Sequence, residues 1–171
     1  MINIKGVLLL SIFSGSLFSL ELNKQPPLVV LSDKNGGYIS GGAWSSDSLK
    51  GKVNLVLYMD PDQRKLSQKL IDTIKQSNFN NNFKMVAIVN IKATWLPDFA
   101  IEKKLKSKQK ELKNTVYVKD KTKYMVRSWG LKDDDVNELL FNKQGKLIYQ
   151  HSGKITQQDL DKLVSLIQAN L

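Results

Sequence analysis

The 171-residue chain contains no cysteine, one histidine and four prolines. Each scarcity excludes some chemistry. Without thiols there is no disulfide, no thiolate metal site and no sulfur nucleophile. With His151 as the only imidazole, a tetrahedral zinc site would have to be completed by carboxylates alone. A Ser-His-acid triad fails on the missing Gly-x-Ser-x-Gly elbow, so His151 reads as a lone surface histidine. The longest apolar stretch falls short of the roughly 20 residues that a membrane-spanning helix requires. The length is that of one domain able to bury a self-sufficient core without staples.

The leading residues, MINIKGVLLLSIFSGSLFS, carry a single charge at Lys5, an apolar run over 7–13 and small residues at Ser14, Gly15, Ser16 and Ser19. This pattern is that of a secretory signal peptide over 1–19, cleaved near Ser16 or Ser19, followed by a single domain over 20–171. An uncleaved anchor is the alternative, but no cysteine follows the apolar run, which excludes a lipoprotein. The formal net charge is +10, and loss of the leader, with Lys5 alone, leaves +9. Much of it is local: residues 102–127 hold ten basic side chains against three acidic ones. One face of the molecule is therefore expected to be strongly positive.

Two short β-prone runs over 25–43 flank Asn35-Gly36-Gly37, a hairpin signal that predicts an N-terminal β-ribbon. Residues 53–59, VNLVLYM, are nearly all apolar, as a strand buried on both faces demands. Asp60-Pro61-Asp62 ends that strand and suits a helix start, because proline fits the first turn and carboxylates complement the helix dipole. Leu66, Leu70, Ile71 and Ile74 continue at helical spacing to about Gln76. Residues 83–91, FKMVAIVNI, form a second buried strand, which makes a parallel βαβ unit. A helix over 99–112 has only a thin apolar stripe, with its lysines in water. A short edge strand over 115–118 and a short helix over 121–128 follow. Residues 139–141 and 147–150 pair across Asn142-Lys143-Gln144-Gly145 as a hairpin. Thr156, with Asp159 three residues on, caps a final amphipathic helix.

This order of elements resembles the thioredoxin-like arrangement: a three-layer α/β/α sandwich with a mixed central sheet and an N-terminal β-hairpin. Within that superfamily the chain is similar to the YtfJ family of periplasmic bacterial proteins of unknown function. The residues carrying the likeness are Trp44, Leu49-Lys50-Gly51-Lys52-Val53, Leu70 to Lys75, Ile88-Val89-Asn90, Trp129 with Leu131, and Asn142 to Lys146. Two departures from redox thioredoxins matter. Asp60-Pro61-Asp62-Gln63 stands where the paired cysteines would open the first helix, and Asp135-Val136-Asn137 lies nearest to where a cis-proline would face them. Thiol–disulfide exchange and peroxide reduction are thereby excluded, since no thiolate can attack sulfur.

No catalytic residue, metal ligand or cofactor is assigned. Asp60 and Asp62 either cap the helix or hold a cation or basic peptide at the former redox position. Asp133, Asp134 and Asp135 lack the spacing of a calcium loop and read as a solvated turn. Trp44, Trp95 and Trp129 are core candidates, Trp95 being the most promising for a partner because Trp95-Leu96-Pro97 ends a central strand. The expected contact rim gathers Tyr58, Asp60, Pro61, Asp62 and Gln63 from one strand end. Trp95, Leu96, Pro97 and Asp98 come from the next, with Val136 opposite. The favoured function is binding of an envelope protein or anionic envelope component. A carboxylate or metal-dependent envelope enzyme is the second reading. A DNA-binding regulator is third, because export removes the chain from cytoplasmic DNA and few aromatics interleave its lysines.

Overall fold

The structure, a computed structural model, describes residues 19–112 and 114–171, so all of the expected leader but Ser19 lies outside the described residues. Its frame is β4 (Val53–Met59), in which every residue is buried. Parallel to it on one side runs β5 (Phe83–Asn90), and antiparallel on the other runs β7 (Val136–Phe141). With β2 (Gly36–Tyr38), β6 (Thr115–Asp120) and β8 (Leu147–Ser152) they form a six-stranded mixed sheet in the order β2-β6-β5-β4-β7-β8. Because side chains alternate along a strand, β4 feeds two cores. Val53, Leu55, Leu57 and Met59 face α1 (Gln68–Gln76), α2 (Asp98–Glu111) and α4 (Gln157–Asn170). Val56 and Tyr58 face α3 (Tyr124–Trp129) and the N-terminal segment. This is the α/β/α sandwich that the order of elements predicts.

Two tryptophans anchor the second core. Trp44 and Trp129 are each 1% exposed, and the Trp129 indole N–H donates to the Pro27 carbonyl at 2.9 Å. A buried indole with its one polar atom satisfied suits a core, and truncating it costs about 3–5 kcal/mol.

Three expectations are corrected. The N-terminal ribbon exists, but β1 (Val30–Leu31) pairs with β3 (Trp44–Ser45), and Asn35-Gly36-Gly37 is not its turn. Gly36 and Gly37 instead lie in β2 and pair with β6. A Cβ on Gly36 would sit 1.9 Å from the Lys119 carbonyl oxygen, so only glycine lets the two backbones approach. Consequently β6 is not an edge strand, since β2 covers it, and it extends to Asp120. The first helix begins at Pro61 as expected but winds as a 3₁₀ helix over Pro61–Ser67 before turning α-helical. Ser67 donates its hydroxyl to the Arg64 carbonyl at 3.0 Å, a local bond that competes with the α-helical pattern. The other elements match to within a few residues, including the Thr156 cap, whose hydroxyl accepts from the Asp159 amide at 3.1 Å.

Asp120 secures the junction of β6 and α3. It is fully buried, and its carboxylate accepts from the Tyr58 hydroxyl at 3.2 Å and from the amides of Thr122, Tyr124 and Met125 at 3.0, 2.9 and 2.9 Å. Asp120→Ala orphans these donors and is expected to cost about 3 kcal/mol or more. Thermal unfolding followed by circular dichroism should register a Tm lower by roughly 6–12 °C. A Tm within 2 °C of wild type would contradict the role given to this carboxylate.

Candidate functional site

The C-terminal ends of β4 and β5 form a corner where the chain turns into its first helical segment. Asp60 is the hinge of that corner. Its amide donates to the Asp135 carbonyl at 3.1 Å, and its Oδ1 accepts from the Asp62 amide at 2.9 Å. Only 3% exposed, Asp60 is a buried cap and not a surface ligand. Burial pushes its carboxyl above the usual range, the Asp62 N–H offsets part of that, and the charges of Asp62, Asp134 and Asp133 add to it.

Asp62 is exposed and accepts from the Thr94 hydroxyl at 3.2 Å, which ties the two loops together. Beside it Trp95 is 85% exposed and Phe99 76% exposed, on either side of the Pro97 cap position of α2. Leu96 and Gln63 are half-buried, while Pro97 and Asp98 are exposed. Tyr58 and Val136 do not belong to this surface. Tyr58 is 1% exposed and reaches across the α3 face of the sheet to Asp120, and Val136 is fully buried opposite Met59. The contact rim therefore reduces to the stretch 61–63 and the stretch 95–98, with Phe99 added. Phe99 escaped notice in the sequence because it stands at the start of a helix with a thin apolar stripe, off the line of Ile101 and Leu105 and therefore in solvent.

The aspartate run 133–135 is more structured than a solvated turn. Asp133 accepts from Lys123 Nζ at 2.6 Å, from Asn90 Nδ2 at 3.1 Å and from the Asp134 amide at 3.1 Å. Burial opposes its charge, but Lys123 with these amide donors outweighs it and holds the carboxyl below the usual range. Asp135 spends one oxygen on the Val136 amide at 2.8 Å. Among the described residues no three His, Asp or Glu side chains converge to hold a metal ion. The lysine-rich helix is partly neutralised, with Glu102 between Lys119 at 2.8 Å and Lys121 at 3.4 Å, while Lys103, Lys106 and Lys110 remain in solvent.

A second cluster was hidden in the sequence. Glu138, in the interior of β7, is fully buried, and its Oε2 lies 3.0 Å from Nδ1 of half-buried His151 on the neighbouring strand. His151 is thus a partner of a buried carboxylate and not a lone surface group. Its Nε2 lies 3.9 Å from Asp159 at the start of α4. Glu138 Oε1 and the Tyr149 hydroxyl have no hydrogen-bond partner among the described residues. Burial raises Glu138 to about 7, with His151 pulling the other way. The apolar run that marks this strand in the sequence begins at residue 139, so Glu138 falls outside it and gives no signal of a buried carboxylate.

A carboxyl whose pKa is higher in the folded than in the unfolded state binds its proton more tightly when folded. Its contribution to stability is present at low pH and is lost as pH rises from about 4.5 towards 7. Glu138→Gln removes that slope. Urea unfolding at pH 5 and pH 8 should show wild type losing up to about 3 kcal/mol more than the variant over this interval. Equal losses in both proteins would contradict the buried, proton-binding state of Glu138.

Residues 20–170 match the profile of the family described as a bacterial protein of unknown function, YtfJ_HI0045. An uncharacterized protein of Haemophilus influenzae is 29% identical over 170 residues, covering 91% of each chain. A thiol-disulfide isomerase from Corynebacterium glutamicum superposes with a TM-score of 0.61 at 14% identity, over 85% of this chain and 97% of its own. The thioredoxin domain of a thiol-disulfide oxidoreductase from Bacteroides vulgatus gives 0.59 at 19% identity, over 86% and 98%. An exposed lipoprotein thioredoxin from Streptococcus pneumoniae gives 0.56 at 16%, over 82% and 99%. These likenesses establish a thioredoxin-like fold, and the match along nearly the whole described chain shows that the protein belongs to the YtfJ_HI0045 family.

Proposed function

We propose that the protein is an exported, redox-inactive binding module, released into the periplasm after removal of residues 1–19, that captures an envelope protein through the rim at the ends of β4 and β5. The observation that carries this reading is the exposure of Trp95 at 85% beside Phe99 at 76%, in a protein whose other two tryptophans are buried. A large aromatic left in water at a helix start, flanked by the carboxylates of Asp62 and Asp98, offers an apolar anchor with charges around it. Export is supported by the charge and apolar pattern of the leader, and no helix among the described residues is long and apolar enough to cross a membrane. Thiol exchange has no reactant here, since the chain has no cysteine. A metal-assisted carboxylate enzyme would need converging ligands that the described residues do not supply.

Leu28 provides an internal control. It is 63% exposed but lies near Lys50 and Gly145, at the opposite end of the sheet. With the tagged mature chain as bait in an envelope extract, Trp95→Ala is expected to weaken capture of a discrete partner by about 2 kcal/mol, or thirtyfold, while Leu28→Ala captures normally. Undiminished capture by a folded Trp95→Ala protein would count against the rim. Cell fractionation of the native host should find a chain beginning after Ser16 or Ser19 outside the cytoplasm. A cytoplasmic pool of unprocessed protein would refute export.

A further inference from the structure

A cavity of about 320 Å³ lies between α1 and α2 over the sheet, within the size range of small-molecule sites. Its floor is apolar: Leu57 of β4 and Met85, Ala87 and Val89 of β5. Ala87 sits at the middle of that floor, where a larger side chain would fill the space. The walls are Ile71 from α1 and Ile101 and Leu105 from α2. The mouth is of opposite character, with Arg64 and Lys75 on the α1 side and Lys104 and Lys108 on the α2 side. Lys108 is engaged by Glu111, but among the described residues no carboxylate lies within 4.0 Å of Arg64, Lys75 or Lys104. Tyr117 joins floor to mouth. Burial pushes its phenol up, Arg64, which lines the same cavity, pulls it back, and the Glu111 carboxylate adds to the rise.

The gap has an identifiable cause. On α2 the positions that face α1 include 104 and 108, one and two turns beyond Ile101, where helix packing would call for leucine. Lysines there cannot be driven into an apolar seam without losing hydration, so the seam between the two helices stays open above a floor whose own side chains are buried. An apolar slot with a cationic entrance is complementary to one class of molecule.

We propose that this cavity binds a single-chain amphiphile with an anionic head, the chain lying over Ala87 and the head held by Arg64, Lys75 and Lys104. The head is a carboxylate or a phosphate, and both are met by the same cations with Tyr117 as an additional donor. The cavity touches the edge of the rim at Pro61 and Leu96, but its occupant is a small molecule held by other residues and Trp95 takes no part in it, so the proposal stands apart from the partner of the rim.

Isothermal titration of the mature chain with dodecanoate, dodecyl phosphate and dodecyltrimethylammonium, each below its micelle concentration, tests the proposal. One or both anionic amphiphiles are expected to bind saturably at one per chain, the tighter of the two identifying the head. The cationic amphiphile, which has the same tail, is expected not to bind. The surface variant Arg64→Glu with Lys104→Glu should weaken anion binding about tenfold or more. Ile71→Trp, at a half-buried helix position, should block the slot. No saturable binding of either anion, equal binding of the cationic amphiphile, or unchanged affinity in the charge-reversed protein would each overturn the proposal.

Discussion

Everything in this molecule is hung on β4, a seven-residue strand hydrogen-bonded on both edges and buried on both faces. A strand in that position leaves no freedom at its ends, so the chain must leave it through turns whose polar groups are satisfied inside the protein. Side chains do this work. At its start, Asn54 donates to the carbonyls of Leu49 at 3.0 Å and Lys52 at 2.9 Å. At its exit, Asp60 binds backbone on both sides of the corner. The same device closes the neighbouring strands, through Asn90 to Asp133, through Asp120 to α3, and through Asn137 to both backbone groups of Lys132 at 2.9 Å. These buried amides and carboxylates fix where the sheet ends, and hence where the rim stands.

That fixed corner explains how a scaffold shared with thiol oxidoreductases can persist without sulfur. In a redox thioredoxin a helix start is useful because its dipole favours a thiolate. Here the Asp60 carboxylate occupies the helix start as a cap, so the favourable field stabilises the fold and leaves nothing reactive. Features with chemical potential lie elsewhere in the fold. Glu138 and His151 share a buried contact under α4, and the lysines of α2 keep a slot open over the sheet. Neither lies where a thiol would have been, although the slot reaches Pro61 and Leu96 at the edge of the rim.

What could be read in the sequence was what depends on neighbours in the chain. The apolar runs 53–59 and 83–91, the proline after Asp60 and the Thr156 cap are local signals, and they place the central strands and the first and last helices. Contacts between distant segments left weaker traces. Gly36-Gly37 fits a hairpin turn as readily as a strand pressed against Lys119, and only the folded partner decides between them. The rim was half legible, since adjacency to a strand end locates Asp62 and Trp95. It does not say which face a fully buried strand turns outward, and so Tyr58 and Val136 were assigned to a surface they do not reach. The cavity arises from elements far apart in sequence, beyond the reach of any periodicity, while the Glu138–His151 pair was hidden because the β7–β8 hairpin extends further towards its open end than the apolar pattern indicates.

The central proposal is that the corner at the ends of β4 and β5 is a docking surface. Site-specific photocrosslinking in living cells tests it most directly, with a photoreactive phenylalanine analogue placed at position 95 or at the exposed but remote position 28. The account predicts a discrete higher-mass adduct from position 95 and none from position 28. The absence of an adduct from position 95, or the same adduct from both, would contradict it.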